Sequence, residues 1–158
     1  MAEPGDCLSL AKGVTARVLY PPTDLKVRVL DDKSMVLQIR AGPFRVLLMS
    51  GAGYLTERWL LENKCDLQSD ILIKGRHPSD LSGTRDFIEA VQPRVLVYAS
   101  SGFAANPGVS EAWMRDLMAD GVQLFPQNST GAVRIQIDAD RYSVSGLLGD
   151  QIFRSNNR

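Results

Sequence analysis

The only histidine of the chain, His77, follows an apolar run at residues 71–73 and a glycine, Gly75. A strand that ends in a glycine turn can present an imidazole at the edge of a sheet, where it could bind a metal ion. A zinc site, however, requires three or four nitrogen, oxygen or sulfur ligands. Asp31, Asp32 and Asp80 could supply carboxylate ligands for such a site. They could equally be ordinary solvated turn residues. The sequence therefore predicts a metal-site scaffold that is short of ligands, or an ordinary loop histidine.

A second candidate is the glycine turn at residues 50–53, which separates an apolar run at 44–49 from a helical pattern. Backbone N–H groups can hold a phosphate in this setting, at the start of a helix. The third glycine of the dinucleotide fingerprint is replaced by Thr56, and no acidic residue closes the next strand. A tight turn with close helix packing is favoured, and nucleotide binding stays open as an alternative.

Neither the serines nor the cysteines form a recognised reactive motif. Ser50 and the serines at 100–101 lack the surroundings of a nucleophile elbow, and His77 would have to act as the base for any of them. Cys7 and Cys65 are far apart, with no second cysteine or histidine near either. Two free thiols are favoured, and a disulfide stays open.

The composition is that of one globular domain. With 158 residues, 44% of them hydrophobic and 23% charged, we expect a single domain over residues 1–150 and a flexible tail over 151–158. Eighteen basic residues balance 18 acidic ones, so contact with DNA would require a local patch. No apolar run approaches the roughly 20 residues that cross a bilayer, and no membrane insertion is expected.

The hydrophobic pattern predicts hairpins, then alternating helices and strands, then a terminal hairpin. Strands are expected at 8–10, 15–20, 34–41, 44–49, 70–73, 94–99, 122–125, 132–137 and 142–144. Helices are expected after Gly53, at 84–91 and at 110–120, the last one capped by Ser110. This order indicates an α/β (α+β) domain in which about three helices flank a mixed sheet.

The sequence also predicts which face of each element is buried. Leu55, Trp59 and Leu60 form the apolar face of the first helix, with Glu57 among the polar positions between them. The third helix is expected to bury Trp113, Leu117 and Met118. The runs at 46–49 and 95–98 are apolar throughout, so a second sheet or another chain must cover them.

Five segments in this order resemble the second half of the metallo-β-lactamase-like domain at the C-terminus of ComEC-type competence proteins. They are residues 18–22, 31–37, 44–52, 71–79 and 91–95. Members of that family are multispanning membrane proteins implicated in moving transforming DNA across the bacterial cytoplasmic membrane, and the domain lies on the extracytoplasmic side. The resemblance covers roughly residues 5 to 146 and implies half of a metallo-β-lactamase-like sandwich.

The departures from the family pattern fall on the metal ligands. Gly51 stands where the family has a metal-binding aspartate, and Arg76 replaces one of two adjacent histidines. The histidine cluster of the first half is absent from this chain. The resemblance therefore implies a relic metal site or a phosphate-contacting loop made of Asp32, Ser34, Ser50, Gly51, Arg76, His77 and Ser79.

The resemblance implies a catalytically inactive structural or interaction domain. Related active domains use zinc, whereas no cofactor is expected here. A guanidinium suits bidentate contact with phosphate, so Arg76 could contact DNA in the parent protein. Self-association or packing with the missing half-domain is expected. The alternative is a metal-dependent phosphodiesterase or nuclease whose remaining ligands come from another domain or chain.

Overall fold

The structure, a computed structural model, describes residues 3–26, 30–76, 82–99 and 111–155. The strands are β1 Cys7–Ala11, β2 Val14–Tyr20, β3 Val36–Ala41, β4 Phe44–Leu48, β5 Ile71–Lys74, β6 Val95–Tyr98, β7 Gln123–Pro126, β8 Val133–Ile137, β9 Tyr142–Gly146 and β10 Ile152–Arg154. The helices are α1 Tyr54–Glu62, α2 Arg85–Val91, α3 Glu111–Ala119 and the short α4 Gln127–Thr130, with a 3-10 turn at Leu30–Lys33.

Strands β1 to β7 form one sheet in which the spatial order follows the chain order. The first four strands are antiparallel, and β4 to β7 are parallel. Parallel neighbours need a crossover between them, and α1, α2 and α3 lie in the three crossovers. The carboxyl ends of β4 to β7 therefore lie along one edge of the sheet. The predicted mixed α/β architecture is confirmed.

Each face of this sheet has its own core. One face packs against the helices, with Leu47, Leu72 and Leu96 fully buried there together with Leu60 of α1. The other face is covered by a three-stranded sheet in the order β10, β9, β8. Side chains from both sheets meet in this second core, which buries Phe44, Val46, Ile71, Val95, Val97, Phe125, Tyr142 and Val144. The second sheet that the apolar runs require is thus supplied by the chain's own terminal strands.

Two helices are rotated relative to their predicted faces. On α1 the buried positions are Thr56, Glu57 and Leu60, whereas Leu55 is 54% exposed. The face is displaced because groups outside the helix donate hydrogen bonds to the Glu57 carboxylate. On α3 Leu117 is buried as predicted, but Met118 is exposed. The predicted cap of this helix, Ser110, lies outside the described residues.

Within the flexible tail expected over 151–158, the structure describes residues 151–155, and three of them form a strand. Strand β10 pairs with β9 along its whole length. Beyond it, Ser155 is buried, its N–H donates to the Tyr142 carbonyl at 2.9 Å, and its Oγ accepts from the Tyr142 N–H at 2.7 Å. Phe153 stacks on the Tyr142 ring, with centroids 5.6 Å apart. Order therefore extends through Ser155, because an aromatic contact and strand pairing fix this segment.

Among the described helices, none is long and apolar enough to span a membrane.

Candidate functional site

The candidate site lies at the carboxyl ends of β4 and β5, where two glycine-containing turns touch. The parallel ladder continues one residue past β4, because the Met49 N–H donates to the Ile73 carbonyl at 3.0 Å. Ser50 then takes a left-handed conformation with φ 52°. A Cβ on Gly75 would overlap the backbone carbonyl of Ser50, so only glycine fits at position 75. The two turns therefore lie against each other.

The third segment of the site is the turn at Leu30–Lys33. A Cβ on Gly51 would lie 2.8 Å from Ser34 Oγ and 3.3 Å from an oxygen of the Asp31 carboxylate. Ser34 itself donates from its backbone N–H to the Asp31 carbonyl at 2.9 Å. The glycine at 51 thus allows this turn to pack directly on the end of β4. We call these three segments, residues 31–34, 50–51 and 75–76, the rim.

Hydrogen bonds fix the rim to the rest of the domain. The buried Tyr20 hydroxyl donates to the backbone carbonyl of Asp32 at 2.7 Å, and Ser50 Oγ donates to the Met35 carbonyl at 2.9 Å. Burial raises the pKa of Tyr20, and the nearby charge of Asp32 adds to this. Tyr20 therefore remains a protonated donor to the rim.

The structure brings together most of the residues that the sequence predicts for the site. Ser34 lies against Gly51, which follows Ser50 in the chain. Asp32 is buried close to Ser34, and Arg76 follows Gly75 and is exposed. The two remaining predicted residues, His77 and Ser79, lie outside the described residues.

The described part of the rim does not match the donor set of a zinc centre. Among the described residues, no three histidines, cysteines, aspartates or glutamates lie close enough together to hold a metal ion. The space beside Gly51, where the resemblance places a ligand, is filled by the Ser34 hydroxyl. What the rim offers is two neighbouring carboxylates, two hydroxyls, the Lys33 ammonium group and the Arg76 guanidinium. Zinc hydrolases need three or more ligands around one ion, so no catalytic step through zinc follows from these groups.

A buried carboxylate next to the rim escaped the sequence analysis. Glu57 of α1 is only 1% exposed, although the pattern placed it among the polar positions of the helix. Its Oε1 accepts from the Gly83 N–H at 2.6 Å, and its Oε2 accepts from the N–H and the hydroxyl of Thr84, both at 3.1 Å. Periodicity could not reveal this, because two of the three donors are backbone groups more than 20 residues further along the chain.

Electrostatics at Glu57 are set by burial and by a buried lysine. Burial raises the pKa of Glu57, while the hydrogen bonds from Gly83 and Thr84 and the charge of Lys74 oppose this rise. Lys74 is the last residue of β5 and is itself only 8% exposed. A carboxylate and an ammonium group thus share the region directly behind Gly75 and Arg76.

Gly83 is held through both of its backbone groups. Its N–H donates to Glu57, and its carbonyl accepts from the Trp113 indole N–H of α3 at 2.7 Å. Gly83 has φ +87°, and a Cβ there would lie 2.8 Å from the Trp113 ring and 3.2 Å from Lys74 Cε. Only glycine therefore allows α1, α3 and β5 to converge on this residue.

Comparison with known proteins gives similarity both in sequence and in structure. The chain is 33% identical over 109 residues to Competence protein ComA of Neisseria gonorrhoeae, an alignment that covers 66% of this chain and 16% of that protein. The CmlA β-hydroxylase E377D mutant matches with a TM-score of 0.52 and 13% sequence identity, covering 78% of this chain and 31% of that one. No family model matches the chain.

These comparisons support the resemblance at a coarse level. The chain spans about a sixth of the length of the competence protein that it matches. The structural match, at its low identity, concerns the fold alone. The chain is thus similar in sequence to part of a competence protein, and its mixed α/β architecture is similar to a metallo-β-lactamase fold.

Proposed function

We propose that this chain forms a catalytically inactive metallo-β-lactamase-like domain of a competence protein, and that its rim contacts DNA through phosphate. The similarity to Competence protein ComA supports the biological setting. The similarity to a metallo-β-lactamase fold supports the architecture. In the parent protein such a domain would lie on the extracytoplasmic side of the cytoplasmic membrane.

The observation that carries the proposal is the packing of Gly51 on Ser34. A ligand side chain at position 51 would need the space that the Ser34 hydroxyl occupies, and a carboxylate oxygen of Asp31 borders the same space. Next to it, Arg76 presents a permanent cation. The rim is therefore better suited to pairing with an anion than to holding a divalent cation.

Phosphate is the anion that this geometry favours. An exposed guanidinium can bind a phosphate by two parallel hydrogen bonds, which an ammonium group cannot reproduce. Lys33, exposed at the end of the 3-10 turn, adds a second cation to the rim segments. Since the chain has no net charge, we expect weak, local and salt-dependent contact with the DNA backbone, without base readout.

The test is the binding of a fluorescein-labelled single-stranded oligonucleotide, followed by anisotropy at low salt. We expect Arg76→Ala to raise Kd several-fold and Arg76→Lys to restore binding in part. Arg85→Ala is the matched control, because Arg85 is an exposed arginine of α2 that pairs with Glu89 at 2.8 Å. Affinity unchanged by Arg76→Ala would remove the proposed contact.

A further inference from the structure

We propose that Glu57 is the positioning residue of the rim: its carboxylate holds both ends of the connection from β5 to α2 and so determines where Arg76 lies. This inference rests on the proposed function, since it explains how the phosphate-contacting residue is kept in place. Glu57 touches neither Arg76 nor any phosphate in this account. It acts through the backbone of the segments that it anchors.

The far end of the connection is fixed by direct hydrogen bonds. The carboxylate accepts from the Gly83 N–H at 2.6 Å and from the Thr84 N–H and hydroxyl at 3.1 Å. Thr84 is the N-cap residue of α2, yet its side chain makes no capping bond to that helix. Its hydroxyl is directed to Glu57 instead. The start of α2 is therefore anchored by a residue of α1.

The near end is fixed through Lys74. Its charge acts on the Glu57 carboxylate. Its Cε lies close to Gly83, since a Cβ built on that glycine would be 3.2 Å from it. The Lys74 ammonium lies 3.4 Å from the carbonyl oxygen of Gly75, the peptide that leads into Arg76. Gly75 in turn lies against Ser50. A path of contacts thus runs from Glu57 through Gly83, Lys74 and Gly75 to Arg76.

The chemistry of the site requires a carboxylate. All three groups that hydrogen-bond to Glu57 are donors, and the charged neighbour, Lys74, is a cation. A glutamine would turn its NH2 group towards at least one of these donors and lose that bond. Burying a carboxylate is costly, and the three hydrogen bonds together with the charge of Lys74 offset part of that cost. Glu57 is therefore suited to holding these segments together, a role that an exposed helix residue could not fill.

The test combines Glu57→Gln with Arg76→Ala in a double-mutant cycle of oligonucleotide binding. The control is Glu62→Gln, which removes the same charge from an exposed position of the same helix. We expect Glu57→Gln to weaken binding at least about threefold, and Arg76→Ala to cost less in the Glu57→Gln background than in the native chain. Independent, multiplying effects of the two substitutions would overturn the positioning role.

A second readout does not depend on DNA. In ¹H–¹⁵N spectra we expect Glu57→Gln to shift the backbone amides of both Gly83 and Arg76 and the Trp113 indole signal, whereas Glu62→Gln leaves all three in place. Thr84→Val keeps the carboxylate and removes one donor, so it should cause smaller shifts in the same direction if Glu57→Gln does not fold. If Glu57→Gln folds and its Arg76 amide signal does not shift, the inference is overturned. If only Thr84→Val folds, the same result in that variant overturns it.

If the native chain binds no oligonucleotide, the proposed function fails, and these spectra alone decide the role of Glu57.

Discussion

The carboxylate of Glu57 accepts a 2.6 Å hydrogen bond from the backbone N–H of Gly83, and so connects the middle of α1 to the residues just before α2. The carbonyl of Gly83 accepts from Trp113 of α3. Three helices are therefore joined at one residue directly behind the rim.

The first prediction concerns pH. Burial raises the pKa of Glu57 in the folded protein, so the folded state binds this proton more tightly than the unfolded chain does. The stabilisation from this group is fully present below the unfolded pKa of roughly 4.3 and is lost as the pH rises through the raised value. We expect the free energy of unfolding of the native chain, minus that of Glu57→Gln, to be larger at pH 4 than at pH 7. Urea titrations at both pH values measure it, and a difference that grows with pH would contradict the prediction.

The second prediction concerns the two glycines of the rim. Gly75→Ala should lower the free energy of unfolding by about 2–3 kcal/mol, because its Cβ would meet the rigid backbone of Ser50. Gly51→Ala should cost less, about 1 kcal/mol, since it meets the Ser34 hydroxyl, which can move. Combining Gly51→Ala with Ser34→Ala should recover most of that loss. Denaturant unfolding compares the variants, and equal costs at the two glycines would show that the contacts are not as described.

The third prediction concerns the bond between Tyr20 and the rim. Tyr20→Phe removes the donor that satisfies the Asp32 carbonyl and should cost about 1–2 kcal/mol. Tyr98→Phe is the matched control, because among the described residues the Tyr98 hydroxyl bonds to the sulfur of Met114, a weak acceptor. The control should cost less than about 0.5 kcal/mol. Thermal or urea unfolding measures the loss of stability in both variants. A larger loss in Tyr98→Phe than in Tyr20→Phe would contradict the prediction.

The fourth prediction concerns the C-terminal strand. Phe153→Ala removes the ring that stacks on Tyr142 and lies 5.6 Å from the Arg94 guanidinium, so it should cost about 2–3 kcal/mol. Ile152→Ala, one position earlier and 52% exposed, should change stability by less than about 0.5 kcal/mol. If Phe153→Ala were as harmless as its neighbour, β10 would not be part of the folded domain.

The sequence was sufficient for the elements whose pattern is local. The hairpin of β3 and β4 and the parallel strands β5 and β6 are short apolar runs bounded by turn residues, and all four are present. Strand β10 was missed because it has only three residues, which are too few to show the alternation of apolar and polar residues that marks a strand. Its stability comes from pairing with β9 and from contacts with Tyr142.

The same distinction applies to the site. The approach of Ser50 to Gly75 could be predicted, because adjacent parallel strands end at the same edge of a sheet. The contact of Gly51 with Ser34 joins a strand end to a turn, and only the family resemblance suggested it. Glu57 was missed because its partners include backbone N–H groups, which every residue other than proline possesses and which no sequence pattern marks.

The most direct test of the central claim is a cleavage assay with the purified chain. A phosphodiester substrate and labelled DNA would each be incubated with the protein and added Zn²⁺ or Mn²⁺, alongside metal without protein. The account predicts no cleavage above the metal-only rate, because the described rim lacks the ligands to hold and activate a metal-bound water. Cleavage that requires both this chain and the metal would contradict it.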